Sequence, residues 1–348
     1  MIVEFYSVLS YNNTMKHPVL SYILKNQVIF ALILILGAWA VFETRSILIS
    51  LFAAYIVKAA LHPYVDYLQN KKFPKILAVA IPYIITLAFL FLLIFPLFPF
   101  FIKQIALLIN QLPNYLSSDE GIFGFTLDTT QINRILASEF GNISKNALSL
   151  TGAFFSSIFS LLTVFVVGFY LLLYEDSIRK ALVNLFPEDK AKQVKWTLHH
   201  IDEKLGSWMR GQMILSIFIG VITYVVLLVL GVDFALSLAL IAALLEIVPS
   251  IGPTIAAIPA IIIASSASLP LALVVLCSYV GIQLIENNIL VPRIMARAVG
   301  LNPLAVILSI TIGATLLGVI GALLSVPFLS FCIVIFNSLK TNHELDNI

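Results

Sequence analysis

Residues 234–268 read FALSLALIAALLEIVPSIGPTIAAIPAIIIASSAS, an apolar run with one charged position, Glu246. A helix crosses the roughly 30 Å hydrocarbon core of a bilayer with about 20 apolar residues, so this run is too long for one span. At its centre stands Val248-Pro249-Ser250-Ile251-Gly252-Pro253. Each proline removes a backbone donor and crowds the preceding turn, so a helix cannot continue through this stretch. Each arm is then about 14 residues, or about 21 Å, short of a crossing. The stretch therefore reads as a re-entrant hairpin. Non-helical backbone at that depth is tolerated only where protein buries it or a watery cavity solvates it.

The rest of the chain agrees with a bilayer setting. Of 348 residues 60% are apolar and 11% charged, against about 25% charged in soluble domains. The fold class is all-α, a polytopic helical membrane protein, and soluble folds are excluded. A net charge of +2 is too small an electrostatic footprint for a nucleic-acid partner. Charge-poor runs mark spans at 26–42, 46–61, 76–102, 146–174, 211–232 and 270–291. Lys58, inside the second, is expected to snorkel towards the interface. Cys277 and Cys332, in apolar runs and without a C-x-x-C pair, are expected as buried small hydrophobes.

Lysine and arginine set the orientation. Lys71, Lys72 and Lys75 follow the second span; Arg179, Lys180, Lys190, Lys192, Lys195, Lys204 and Arg210 follow the fourth. Both groups are expected in the cytoplasm. The domains that follow are 1–75, two transmembrane helices after a cytoplasmic N-terminus; 76–174, helices three and four with an external amphipathic segment at 103–150; 175–210, cytoplasmic amphipathic helices; 211–340, the transport core; and 341–348, a cytoplasmic tail. The helix beginning near Pro187, with apolar Val194, Leu198, Ile201, Leu205 and Trp208, is expected to lie on the inner membrane surface.

The final run repeats the opening design. Residues 303–317 lead to Gly318-Val319-Ile320-Gly321, and 322–336 return. A re-entrant first hairpin sends the span at 270–291 inward, which delivers Arg293 and Arg297 to the cytoplasm. Span plus broken hairpin thus occurs twice in opposite orientation, an inverted repeat, and paired broken segments of this kind point to a transport site near the bilayer midplane. An ionisable side chain at that depth costs about 2.5–3.5 kcal/mol, so Glu246 and Glu286 are expected to face a cavity or a partner. Gln283, Glu286, Asn287 and Leu290 share one helix face. The transport path is accordingly assigned to Glu246, Pro249, Gly252, Pro253, Gln283, Glu286, Asn287, Gly318 and Gly321, with Arg210, Gln212 and Arg293 at its cytoplasmic mouth. Simpler roles for these groups are packing kinks, polar glue between helices and, for Arg210, a topology anchor.

Enzyme signatures are missing from the sequence: it has no G-x-S-x-G, no P-loop, no dinucleotide-binding glycine pattern and no H-E-x-x-H, since His199-His200 with Glu203 does not match. No catalytic residue, metal site or cofactor is expected, and transport without a P-loop is secondary or passive.

The chain resembles the autoinducer-2 exporter (AI-2E) family of permease-like membrane proteins. The resemblance rests on Arg210-Gly211-Gln212, Ile247 to Pro253, Gln283-Leu284-Ile285-Glu286-Asn287 with Pro292, Leu301-Asn302-Pro303-Leu304, and Gly318 to Pro327. Ser250 stands where an aromatic is common in that family. The resemblance implies a bacterial inner-membrane homo-oligomer, with a pentamer as the suggested size. It also implies export of a small polar solute such as a quorum-sensing furanone, or alternatively sodium or lithium/proton antiport. A non-transporting oligomeric scaffold that binds a partner through 175–210 is the reading from a different class. The partners expected are membrane lipid, a small polar solute, and sodium or protons.

Overall fold

The computed structural model describes residues 26–92, 147–249, 252–295, 300 and 302–345. The N-terminal tail, most of the expected external segment, Ser250 and Arg297 lie outside the described residues. The described residues are helical, and none of them forms a strand.

The chain divides into two units, 1–52 and 53–348. The first holds α1 (Gln27–Glu43) and the start of α2 (Arg45–Asn70). Asn26 caps α1, its side-chain oxygen accepting from the amides of Val28 at 3.1 Å and Ile29 at 3.4 Å. Such caps satisfy amides that a helix start otherwise leaves without acceptors. Thr44 alone separates the two helices. Its amide donates to the Ala40 carbonyl and its own carbonyl accepts from Leu48, so helical bonding carries through the joint. Val28, Ile35 and Trp39 are among the exposed apolar side chains of α1, as suits a helix solvated by lipid.

The second unit continues α2 and adds α3 (Lys75–Leu92), α4 (Ala147–Leu173), α5 (Glu175–Asn184), α6 (Ala191–Val229), α7 (Ala235–Leu245), α8 (Gly252–Ala267), α9 (Leu269–Ile285), α10 (Val291–Met295) and α11 (Pro303–Leu345). Among the described residues, five helical stretches are long and apolar enough to cross a membrane, or up to six if α4 and α5, bent by 71° at their joint, are taken as one span. The protein is a multi-pass membrane protein.

Two packed groups hold the unit together. In one, Leu61 and Val65 of α2, Ala78, Val79 and Tyr83 of α3, and Phe165 and Leu172 of α4 are buried together. Tyr83 meets Phe165 and Phe169 edge-on at 6.1 and 5.8 Å between ring centres, the arrangement that aromatic quadrupoles favour. In the other, α6, α7, α8 and α9 share a core that includes Leu215, Leu238, Ala260 and Val275. Gly252, Ala256, Ala260 and Ala264 recur every four residues along α8, and all four are buried. In lipid, helices gain little from burying apolar surface, so close packing over small residues supplies the attraction.

The first break occurs where the prolines place it. The last α-helical bond of α7's run is from the Glu246 amide to the Ala242 carbonyl; Ile247 and Val248 then bond only three residues back, to Leu244 and Leu245. Pro249 has no amide to continue. Pro253 plays a different part, occupying the first turn of α8, where a missing amide is harmless.

The second break centres on one residue. Gly318 has φ +63° and ψ −144° inside α11, a conformation that side-chain-bearing residues avoid. Across it the chain folds back on itself: a Cβ added to Gly313 would run into the Gly321 carbonyl and come within 3.0 Å of the Ser325 Cβ. In a straight helix, residues 313 and 325 would be about 18 Å apart.

The helix expected near Pro187 is not a separate element: α6 runs unbroken from Ala191 to Val229, through the fifth expected span. Its Ile201, Leu205 and Trp208 are 4%, 0% and 1% exposed, because protein rather than lipid covers that face. Cys277 and Cys332, expected in the core, are instead free and exposed. An apolar run in a membrane protein has a lipid-facing side, so hydrophobicity alone does not place a residue in the core.

Candidate functional site

The first break closes around Glu246, which has no exposed surface. Gln212, 2% exposed on α6, donates from Nε2 to the Glu246 backbone carbonyl. The structure thus brings Gln212 to the break itself. Gly252 lies directly over the same residue: an added Cβ would sit 2.5 Å from Glu246 Oε2 and 2.7 Å from its backbone nitrogen. Gly252→Ala must therefore move backbone and is expected to cost about 1–3 kcal/mol of stability, as overpacked sites do. A drop in the melting temperature of the purified protein checks this.

Two residues into α8, the Thr254 hydroxyl donates to Gln283 Oε1 at 3.1 Å. Gln283 Nε2 in turn donates to Glu286 Oε2 at 3.2 Å and lies 3.5 Å from Asn287 Oδ1. Glu286 is fully buried, whereas Thr254 and Asn287 are exposed. A chain of polar groups thus runs from the broken segment to α9, from the open surface at Thr254 to the buried carboxylate. Glu286 opens a π-helical turn, Glu286–Leu290, and such wide turns recur at functional sites. Pro292 follows at once; its ring crowds the carbonyl four residues back, and a widened turn relieves that. Thr254 and the π turn were not visible in the sequence, although a hydroxyl just past Pro253 was a signal to test.

Pro249 is half-buried and Pro253 buried beside this chain. Gly318 and Gly321 form the second fold-back described above. Arg293 is exposed on α10, which packs against α6.

Arg210 has a specific seat. Pro63 interrupts the bonding of α2 and supplies no amide to the Ala59 carbonyl. Arg210 Nη1 donates to the carbonyls of Ala59 at 3.4 Å and Ala60 at 3.2 Å, and Gly206, one turn earlier, lets α6 approach that backbone.

Lys58 overturns the expectation that it snorkels. It is 3% exposed, and its Nζ lies 2.9 Å from Glu175 Oε1 and 2.9 Å from Asp202 Oδ1. Arg179 bonds the same two acids, through Nε to Glu175 at 2.7 Å and Nη2 to Asp202 at 2.5 Å. His62 also reaches Glu175. The α5 helix carrying Glu175 turns out of the α4 span. Burial alone pushes the Glu175 carboxyl up, but the bond from His62 and the positive charge of Lys58 outweigh it and hold it at about 2. A depressed carboxyl contributes stability above its unfolded value and loses it only as pH falls through the folded one. The Glu175 carboxylate therefore stays ionised at every working pH.

His200 bonds the Trp196 carbonyl at 2.8 Å, and among the described residues no group of three His, Cys, Asp or Glu could hold a metal.

The described helices thus carry two breaks, with the buried carboxylates Glu246 and Glu286 at the first of them. In comparison with known proteins, the sequence pattern of the AI-2E family transporter matches residues 28–341. The chain belongs to the AI-2E family. YrrI of Bacillus subtilis (strain 168) is 26% identical over 322 residues, 88% of this chain and 90% of that one. YueF of the same organism is 25% identical over 327 residues, covering 86% and 88%. The AI-2 transport protein TqsA of Escherichia coli (strain K12) is 43% identical over 114 residues, 32% of this chain and 33% of its own. Proteins of this family are named for transport, not for catalysis.

Proposed function

We propose that this transporter moves a small polar solute outward across the bacterial inner membrane by secondary transport. Its two broken segments act as re-entrant hairpins of an inverted repeat, and both chain ends lie in the cytoplasm. The observation that carries this reading is the polar chain Thr254–Gln283–Glu286, which links exposed surface at the first break to a fully buried carboxylate. The name of TqsA makes a quorum-sensing signal the first solute to try. A second reading, sodium or lithium/proton antiport, is favoured by one specific observation: Glu246 and Glu286 are both 0% exposed, and buried acids that exchange a proton for a cation are what coupling requires. The working unit is a homo-oligomer.

The test is to restore the helix. Pro249→Ala with Pro253→Ala returns the missing donors and should lower flux about tenfold in proteoliposomes while membrane insertion stays intact, since about 1.4 kcal/mol of altered site geometry is tenfold. Unchanged flux in that double variant reduces the break to a packing feature.

A further inference from the structure

Both ring nitrogens of His62 face acids. Nδ1 lies 2.9 Å from Asp66 Oδ2, one turn on along α2, and Nε2 lies 3.1 Å from Glu175 Oε2 on α5. A neutral imidazole offers one N–H and one lone pair, and an ionised carboxylate only accepts. Both contacts are hydrogen bonds only when the ring carries two protons. Removing one proton places a lone pair against a carboxylate, either within α2 or across to α5.

We propose that His62 is a pH-operated clasp between α2 and α5: the imidazolium closes it, and deprotonation loosens it and changes the rate of transport. The control of rate rests on the transport reading above; the clasp itself does not. Protons have access, because the His62 side chain is 30% exposed and lines an open cavity of about 280 Å³.

The charges around the ring come from every helix packed there. On α2 itself are Asp66 and Lys58. On α5 are Glu175, Asp176 and Arg179; on α3 is Lys75; on α6 are His199 and Asp202. The cations have other work: Lys75 pairs with Asp176 at 2.6 Å, and Lys58 and Arg179 divide between Glu175 Oε1 and Asp202. Glu175 Oε2 is the oxygen that faces His62. Bonding is therefore complete on the acid side and loses one charge-assisted hydrogen bond as pH rises through the titration of the ring. Asp202 ties the cluster to α6, and Gln212 lies ten residues, about 15 Å, further along that helix, bonded at the first break. One helix, α6, thus makes contacts both at the clasp's charge cluster and at the first break.

Two variants should give opposite results. A glutamine side chain, with one donating and one accepting end, mimics the neutral ring, so His62→Gln should be loose at all pH values. Asp66→Asn supplies an amide that donates to a neutral Nδ1, so the clasp should stay closed at all pH values. Spin labels at Gln69 and Lys180, both exposed, in full-length protein with Cys277 and Cys332 replaced by Ala and held in lipid nanodiscs, report the α2–α5 distance by pulsed EPR. Between pH 5.5 and 8.5 the parent should shift about tenfold towards the open population, the effect of one charge-assisted hydrogen bond. H62Q should be open throughout and D66N closed throughout. A parent distance that ignores pH, or a response that survives in H62Q, overturns the clasp. Sodium/proton exchange of the same samples in liposomes should follow the label; exchange that ignores pH while the label responds overturns control of rate. If no sample exchanges sodium for protons at any pH, the antiport reading and the control of its rate fall together, and the label result alone decides the clasp.

Discussion

Glu286→Leu is expected to abolish flux in proteoliposomes while the proposed homo-oligomer persists in size-exclusion chromatography. The carboxylate is fully buried and accepts from Gln283 at 3.2 Å; leucine removes both its charge and its acceptor oxygens. Glu286→Gln keeps the shape and one acceptor but removes the charge. A hydrogen bond to a charged group contributes about 1.5–3 kcal/mol, so flux coupled to protons or a cation should fall about 10- to 100-fold. If Glu286 serves only as polar glue between helices, the ranking inverts: glutamine is nearly silent and leucine loosens the assembly. Measuring flux and oligomer stability on the same two proteins separates these roles.

Lys58→Met is expected to produce the largest loss of stability of any single substitution considered. It leaves Glu175 and Asp202, both under 10% exposed, sharing Arg179 as their main counter-charge. Breaking a buried pair by deleting one partner costs about 3–5 kcal/mol, because a charge remains in a poorly solvated place. The melting temperature of the detergent-solubilised protein should fall accordingly. Adding Glu175→Gln and Asp202→Asn to Lys58→Met should recover much of the loss, since replacing the whole ionic group is far less costly than halving it. A loss under about 1 kcal/mol for Lys58→Met, the range of a solvated surface pair, would show that the cluster is open to water.

The breaks were legible because their cause is local. Pro249 removes a donor wherever it stands, and Gly318 permits a backbone that other residues avoid; neither needs a distant partner. The spans were legible for the same reason, since length and apolarity decide them. The charge cluster was hidden because its members are separated by long stretches of chain: Lys58 meets Glu175 and Asp202 across 117 and 144 positions. Read alone, a lysine near the end of an apolar run looks like one that reaches for water. The apolar face of α6 misled in a related way, because covering by lipid and covering by protein demand the same side chains. Glu246, Glu286 and Gln283 could be named as buried or path-facing from the cost of polarity in hydrocarbon. That Gln212 and Thr254 complete their surroundings depends on how α6 and α8 pack, which no spacing rule supplies.

The most direct test of transport is flux through the purified wild-type protein in liposomes. Imposed gradients of sodium, of pH, and of the furanone quorum-sensing signal should be applied separately and together. At least one gradient should be dissipated faster than in empty liposomes, and Glu286→Leu should remove the difference. Wild-type liposomes that match empty ones under every gradient, with the protein intact and inserted, would contradict a transport role.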